Sequence, residues 1–231
     1  MNAQYLEKNM CGRFTITLDP ADMQQEFNLG DLPGEWKPRY NVAPTQNVPV
    51  VKNQTKRDVE MMHWGLIPFW AKEKSIGQRM VNARAETLQE KPAFRQAFKQ
   101  RRCLILADGF FEWQRKDAKS PKVPIYFQLK EGKPFAFAGL WETWRENPDG
   151  ELHSCTIITC TPNELVGQIH NRMPVILDKE VCWHWLAEQS PQELQKKLVP
   201  YPAEKMQAHA VGLQVNNPRE DNPNVVQPLA Y

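Results

Sequence analysis

The sequence predicts an α+β protein: a single domain built on a largely antiparallel, barrel-like β-sheet with peripheral helices. Three observations predict it. Short β-patterned runs recur along the chain and outnumber helical ones. The 19 prolines and 11 glycines among 231 residues favour many short elements joined by ordered loops over a helical bundle. No internal repeat, low-complexity tract or linker divides the chain, and its length suits one sizeable core.

Taken in order, residues 13–17 (RFTIT) alternate like a strand. Asp19 and Pro20 then open a helix as N-cap and first helical residue, running to about Phe27, with Gly30 just beyond. Residues 31–47, rich in Pro, Gly and Asn, are expected to form an ordered loop. Residues 48–51 and 59–64 form two strands around a polar turn, and 65–83 is irregular and aromatic. A short helix covers 92–99. Residues 103–107 (CLILA) are a continuous apolar run, fit for a strand buried on both faces. Asp108 and Gly109 mark a turn before a strand over 110–114. Strands follow over 125–129, 135–140 and 155–159, then a helix over 162–169 and a strand over 173–177. Asp178 caps a helix to about Ala187, and Ser190 with Pro191 caps another to about Leu198. A last strand is expected over 206–213, followed by a polar, proline-rich tail from Asn216.

Composition narrows the function classes. No apolar run approaches the roughly 20 residues needed to span a bilayer. Residues 1–10 (MNAQYLEKNM) lack the basic and apolar regions of a secretory signal, so a cytoplasmic location is expected. Five cysteines without a tight pattern fit reduced thiols better than a disulfide framework. Cys155 and Cys160 are five apart on one expected strand and should face opposite ways, so no metal site is expected. Loops for nucleotide phosphates and the serine-hydrolase elbow are missing, and no organic cofactor is implied. The formal charge of +2 hides an uneven distribution. Residues 71–102 hold nine Lys and Arg against three acids, a block of +6 facing −4 elsewhere. Such a block suits a polyanion footprint, although on charge alone a solvated helical face is the simpler reading.

Five short segments place polar groups in apolar or strand-like surroundings: residues 10–14 (MCGRF), 39–44 (RYNVAP), 82–87 (NARAET), 107–113 (ADGFFEW) and 169–174 (IHNRMP). Singly, their residues have plain readings. Cys11 is a small hydrophobe starting a strand. Asn82 is a loop asparagine, and His170 a histidine at a helix C-terminus. Glu112 is evenly poised between a solvent-facing carboxylate and a buried proton carrier among Phe110, Phe111 and Trp113. Phe69 and Trp70 read as core or as stacking groups for unpaired bases, and the surrounding basic residues favour the second for Trp70. Trp183 and Trp185, on a capped helix, read as structural.

Together with residues 64–68 (WGLIP), in this order, these segments closely resemble the SRAP family (SOS response-associated peptidases, abasic-site processing proteins), from Met10 to about Pro228. Each piece is weak; the combination is highly specific. The resemblance implies the SRAP fold over residues 11–228, with residues 1–10 an extension absent from or removed in the mature protein. It implies Cys11 as a nucleophile at the mature N-terminus, with Asn82, Glu112 and His170 as the other active-site positions. It puts Arg13, Arg84 and Arg172 near DNA phosphates and Trp70 and Trp113 beside the DNA, and it groups Arg39 and Asn41 with the DNA-binding set. The implied partner is single-stranded DNA containing abasic sites, at replication forks or single-strand/double-strand junctions. The protein is expected to be monomeric, not membrane-bound, and nucleoid-associated when on DNA.

The chemistry also stands on its own terms. An abasic deoxyribose opens to an aldehyde. An α-amine titrates near 7.7–8.0, so roughly a third is free base near pH 7.5, against roughly a thousandth of lysines. The Cys11 thiol can close on the resulting imine to give a thiazolidine, an intramolecular step favoured by proximity. While residues 1–10 remain attached, the Cys11 nitrogen is an amide. Translation starting at Met10, self-removal through an N→S acyl shift at Cys11, and retention with non-covalent DNA binding are the three accounts, in that order of preference. Two other functions compete: a cysteine peptidase with a Cys11–His170 dyad, and a non-covalent single-strand binding module. Strand cleavage by β-elimination from the imine is left open.

Overall fold

The computed structural model describes residues 12–53, 55–115, 117 and 120–229. Cys11, the expected nucleophile, lies outside them. The described elements run β1 (Phe14–Ile16), α1 (Pro20–Phe27), β2 (Arg39–Val42), β3 (Asn47–Lys52), β4 (Val59–Trp64), β5 (Asn82–Arg84), α2 (Pro92–Gln100), β6 (Arg102–Ala107), β7 (Gly109–Gln114) and β8 (Val123–Leu129). They continue with β9 (Phe135–Trp144), β10 (Leu152–Cys160), α3 (Glu164–Gly167), β11 (Met173–Pro174), β12 (Ile176–Leu177), α4 (Lys179–Leu186), α5 (Pro191–Lys196) and β13 (Met206–Ala210).

The fold is α+β and forms a single domain. Strand β10 pairs with β4, β4 with β3, β3 with β6, β6 with β9, and β9 returns to β10, closing a five-stranded barrel. Closure leaves no edge within the ring. A second sheet, in the order β13-β8-β7-β1-β2, is antiparallel throughout. The pairings of β10 with β4 and with β5 are parallel, and among the described residues the other strand pairings are antiparallel. All six residues of β6 are buried, as its unbroken apolar run requires of a strand covered on both faces.

The sheet packs on the barrel through aromatic rings. Phe14 meets Trp64 edge-on at 5.0 Å and Phe137 at 5.6 Å, while Phe110 stacks on Phe127 at 5.0 Å. Each fully buried ring contributes about 1.5–3 kcal/mol of apolar burial. The chain crosses from barrel to sheet between β6 and β7, at Asp108. That residue is not an exposed turn but a buried carboxylate bound to Thr15, Thr17 and Leu18.

The capping rules located the helices well. Asp19 accepts from the Ala21 amide ahead of Pro20, Asp178 caps α4 by accepting from Val181, and Ser190 forms a full capping box with Glu193. The end of α1 differs: Asn28, not Gly30, takes the left-handed conformation, at φ 50°. The expected loop over 31–47 contains β2, which pairs with β1 and whose alternation is hidden in the short run RYNV. The irregular stretch before Ala83 ends in β5, held by β10 rather than by its own pattern. Helix α3 is one turn, shorter than expected, because the chain turns off to pair β11 with β10. Cys155 and Cys160 are both buried, and burial raises the pKa of each thiol. Among the described residues no helix is long and apolar enough to cross a membrane. No group of three or more His, Cys, Asp or Glu there is arranged to hold a metal.

Candidate active site

Strand β1 sits between β2 and β7 with Phe14 opposite Phe110, and the Phe111 amide donates to the Arg13 carbonyl at 3.0 Å. The same antiparallel register, carried one residue further, sets Gly12 opposite Glu112. Glu112 is 4% exposed, on a strand flanked by β1 and β8, so it is not on a solvent-facing edge. By strand alternation it shares a face with Phe110, which packs toward the barrel.

The opposite face carries Arg13 and Trp113. Arg13 donates to Asn41 Oδ1 at 2.7 Å and to the Val215 carbonyl at 2.5 Å, and its guanidinium lies 5.9 Å from the Trp113 ring centre. Trp113 in turn donates to Asn216 Oδ1 at 2.8 Å. Burial lowers the Arg13 pKa. Asn41 is wholly buried, and its amide donates to the carbonyls of Val215, Asn217 and Glu220. Arg39 pairs with Asp221 and also donates to Gln46. These two residues were expected at the DNA. Asn41, with no exposed surface, instead holds the 215–220 segment against Arg13. Arg39, about a third exposed, pairs with Asp221, whose other oxygen accepts from the amides of Tyr40 and Asn41. The tail that reads as merely polar and proline-rich is thus a strap over β2 and β7. Its contacts span more than 170 residues of sequence, and no local signal reveals them.

The strand β5 brings in the next group. The Trp64 indole touches Phe14 and donates to the Val81 carbonyl at 3.0 Å, which ties the residue before Asn82 to the start of β1. Asn82 is half-buried opposite Ile157, and Arg84 is exposed opposite Thr159. Thr159 is also where Arg172 docks: Nη2 donates to its carbonyl at 2.7 Å. Arg172 further makes a forked pair with Glu86, Nη1 to Oε1 at 2.5 Å and Nη2 to Oε2 at 2.8 Å. Its hydrogen bonds hold the Glu86 carboxyl below the usual carboxylate range. Glu86 sits inside the NARAET segment, but its partner is 86 residues away, so sequence reasoning did not single it out.

His170 lies two residues before Arg172, and its Nδ1 accepts from the Arg172 amide at 3.2 Å. In neutral His170 that bond assigns the proton to Nε2, leaving Nε2–H as the free donor. Burial lowers the His170 pKa against the opposing contact with the Arg172 backbone, and the charge of Lys122 adds to the lowering. Buried His63 is lowered in the same way, by burial and then by Lys74. A depressed histidine favours the neutral fold, so the unfolded chain binds more protons below about pH 6.5 and stability falls with pH from there. The melting temperature is therefore expected to drop between pH 7 and 5.5, before the carboxylates titrate. His170→Gln should flatten that slope; an unchanged slope would contradict the assignment of neutral His170.

Trp70 stands apart from both groups. Phe69 and Trp70 are 59% and 50% exposed, unusual for rings of this size. Their loop is fixed at both sides. Gly65 (φ +134°) and Gly77 approach so closely that a Cβ on either would lie within 2.7 Å of the other's carbonyl oxygen. The Trp144 indole donates to the Ala71 carbonyl at 2.7 Å. A cavity of about 510 Å³ opens beside Trp70, lined by Lys72, Ile76 and Arg79 among others.

The family model for SOS response associated peptidase (SRAP) matches residues 10–218. The chain belongs to the SRAP family. Abasic site processing protein YoqW of Bacillus subtilis is 46% identical over 223 residues, covering 94% of this chain and 99% of that protein. Abasic site processing protein HMCES of Xenopus tropicalis is 33% identical over 258 residues, covering 93% of this chain and 77% of its own. A crystal structure of a Bacteroides thetaiotaomicron protein shares the fold with a TM-score of 0.86 at 28% identity, covering 95% of this chain and all of that one. The SRAP segments recognised in the sequence lie on β1, β2, β5, β7 and the loop before β11.

Proposed function

We propose that this chain processes abasic sites in single-stranded DNA by forming a covalent thiazolidine cross-link through Cys11. The reading rests on the pairing of β1 with β7, which continues to Arg13 opposite Phe111 and, carried one residue further, sets Gly12, the residue after Cys11, level with the buried Glu112. Relatives named as abasic site processing proteins support it. The Cys11 amine attacks the C1′ aldehyde, the aldehyde oxygen leaves as water, and an imine forms. The thiol sulfur then bonds to the imine carbon and its proton passes to nitrogen. Glu112 carries protons during ring opening and dehydration. His170 Nε2–H donates to the sugar-ring oxygen, and Asn82 binds the sugar hydroxyl. The imine also permits β-elimination at the 3′ side, which gives a lyase activity.

DNA is held by Arg13, Arg84 and Arg172, with Trp113 and Trp70 as stacking surfaces. Translation starting at Met10 exposes the Cys11 amine once that methionine is removed; where residues 1–10 are made, the Cys11 thiol takes over the Met10 acyl group, which frees the amine, and water hydrolyses the thioester. Incubation with a single-stranded oligonucleotide carrying one abasic site is expected to yield an adduct that survives heating in denaturant, and undamaged DNA none. No adduct from protein whose intact mass starts at Cys11 would end the proposal.

A further inference from the structure

The Arg172 guanidinium is nearly enclosed, with 13% of its side chain exposed, while its partner Glu86 is 49% exposed. Its outer edge is already spent: Nη1 and Nη2 both point at the Glu86 carboxylate, and Nη2 is shared with the Thr159 carbonyl. A carboxylate and a phosphate occupy the same fork of an arginine in the same bidentate geometry. A DNA phosphate therefore cannot take that edge while Glu86 holds it. Of the two partners, Arg172 is the anchored one, fixed to the β10 backbone, and Glu86 is the one free to swing into solvent.

We propose that Glu86 is an internal surrogate for a DNA phosphate, occupying the Arg172 fork in the free protein and exchanging with a backbone phosphate when the strand binds. The proposal rests on the DNA-binding reading above and adds a specificity element to it. In the unliganded state the pair keeps Arg172 neutralised and oriented, so the fork is preformed without offering a bare cation to every passing anion. Releasing Glu86 costs part of the gross binding energy. A ligand that presents a phosphate at the right place recovers that cost, and one that does not is disfavoured.

The test is equilibrium binding of an undamaged single-stranded oligonucleotide, by fluorescence anisotropy across a salt series, which needs no covalent step. Glu86→Gln should tighten binding by about fivefold at low salt, the scale of a half-exposed ion pair. It should also steepen the logarithmic salt dependence by about 0.7, as one more phosphate is neutralised without a protein counter-charge. Glu90→Gln, which removes an exposed carboxylate four residues away, should change affinity less than twofold. In an Arg172→Ala background the Glu86→Gln gain should shrink to that of Glu90→Gln. A full gain that survives there would overturn the exchange, as would a Glu86→Gln protein that binds no tighter than the parent. A wild-type protein that binds while Glu86→Gln gains nothing sinks the exchange alone. Failure of every variant to bind sinks the DNA reading with it. Circular dichroism melts confirm that each variant is folded.

Discussion

Replacing Cys11 with serine is expected to abolish the heat-stable adduct, lowering it by roughly two orders of magnitude or more, because the ring-closing intramolecular thiol is gone. The variant keeps its α-amine, so a transient imine should remain and be trapped by borohydride. Cys11→Ala should behave alike. Acetylating the terminus should remove both products, since only the α-amine is substantially unprotonated near neutral pH. The three proteins together separate the amine from the thiol. A peptidase dyad of Cys11 and His170 would instead lose turnover in the serine variant and be indifferent to acetylation. A heat-stable adduct from the serine variant would refute the thiazolidine. So would an adduct of equal yield from protein that retains residues 1–10, whose Cys11 nitrogen is an amide.

How much of this was legible beforehand depends on the reach of each signal. The N-caps at Asp19, Asp178 and Ser190 act within four residues, and the helices they begin were readable to within two residues. The apolar run of β6 declared its own burial. Strands β2 and β5 did not, because neither carries a pattern of its own: β2 is fixed by β1 and β5 by β10. The barrel closes through the pairing of β9 with β10, a register that no local run specifies.

The candidate site was legible as segments and not as partnerships. The segments holding Arg13, Asn82, Glu112 and His170 stood out, and the burial of Glu112 removes the solvent-facing reading that sequence had left open. What each arginine touches was not visible. Arg39 goes to Asp221, Arg172 to Glu86, and Arg13 to Asn41 and the strap. Those partners lie 28 to 202 residues away, and a charged residue in a motif reads the same whether it faces ligand or protein. Asn41 is the sharpest case: a polar residue in a motif segment whose side-chain oxygen accepts from Arg13 and whose amide donates to three backbone carbonyls of the chain's own tail.

Asp108 shows the same blindness on the stability side and sets the second large expectation. Next to glycine it reads as a turn, yet it is 4% exposed at the crossing from barrel to sheet. One oxygen accepts from Thr15 Oγ1 at 2.5 Å; the other accepts from the Thr17 amide at 2.5 Å, Thr17 Oγ1 at 2.8 Å and the Leu18 amide at 3.1 Å. Thr15 Oγ1 is also 2.9 Å from the Tyr126 hydroxyl, whose pKa is raised by burial and by the Asp108 charge. Gly109 makes room for that ring, since a Cβ there would fall 2.2 Å from the Tyr126 oxygen. Asp108→Ala strands two backbone amides and two hydroxyls at the end of β1, at a cost of about 3 kcal/mol. For a domain of this size that lowers the melting temperature by about 6–12 °C. Asp108→Asn keeps one acceptor and should lose about half as much. Because β1 carries Gly12 toward Glu112, adduct formation in Asp108→Ala should fall at temperatures where the protein is still mostly folded. A melting temperature within a degree or two of wild type would show that β1 is held by the rings of Phe14 and Phe110 alone.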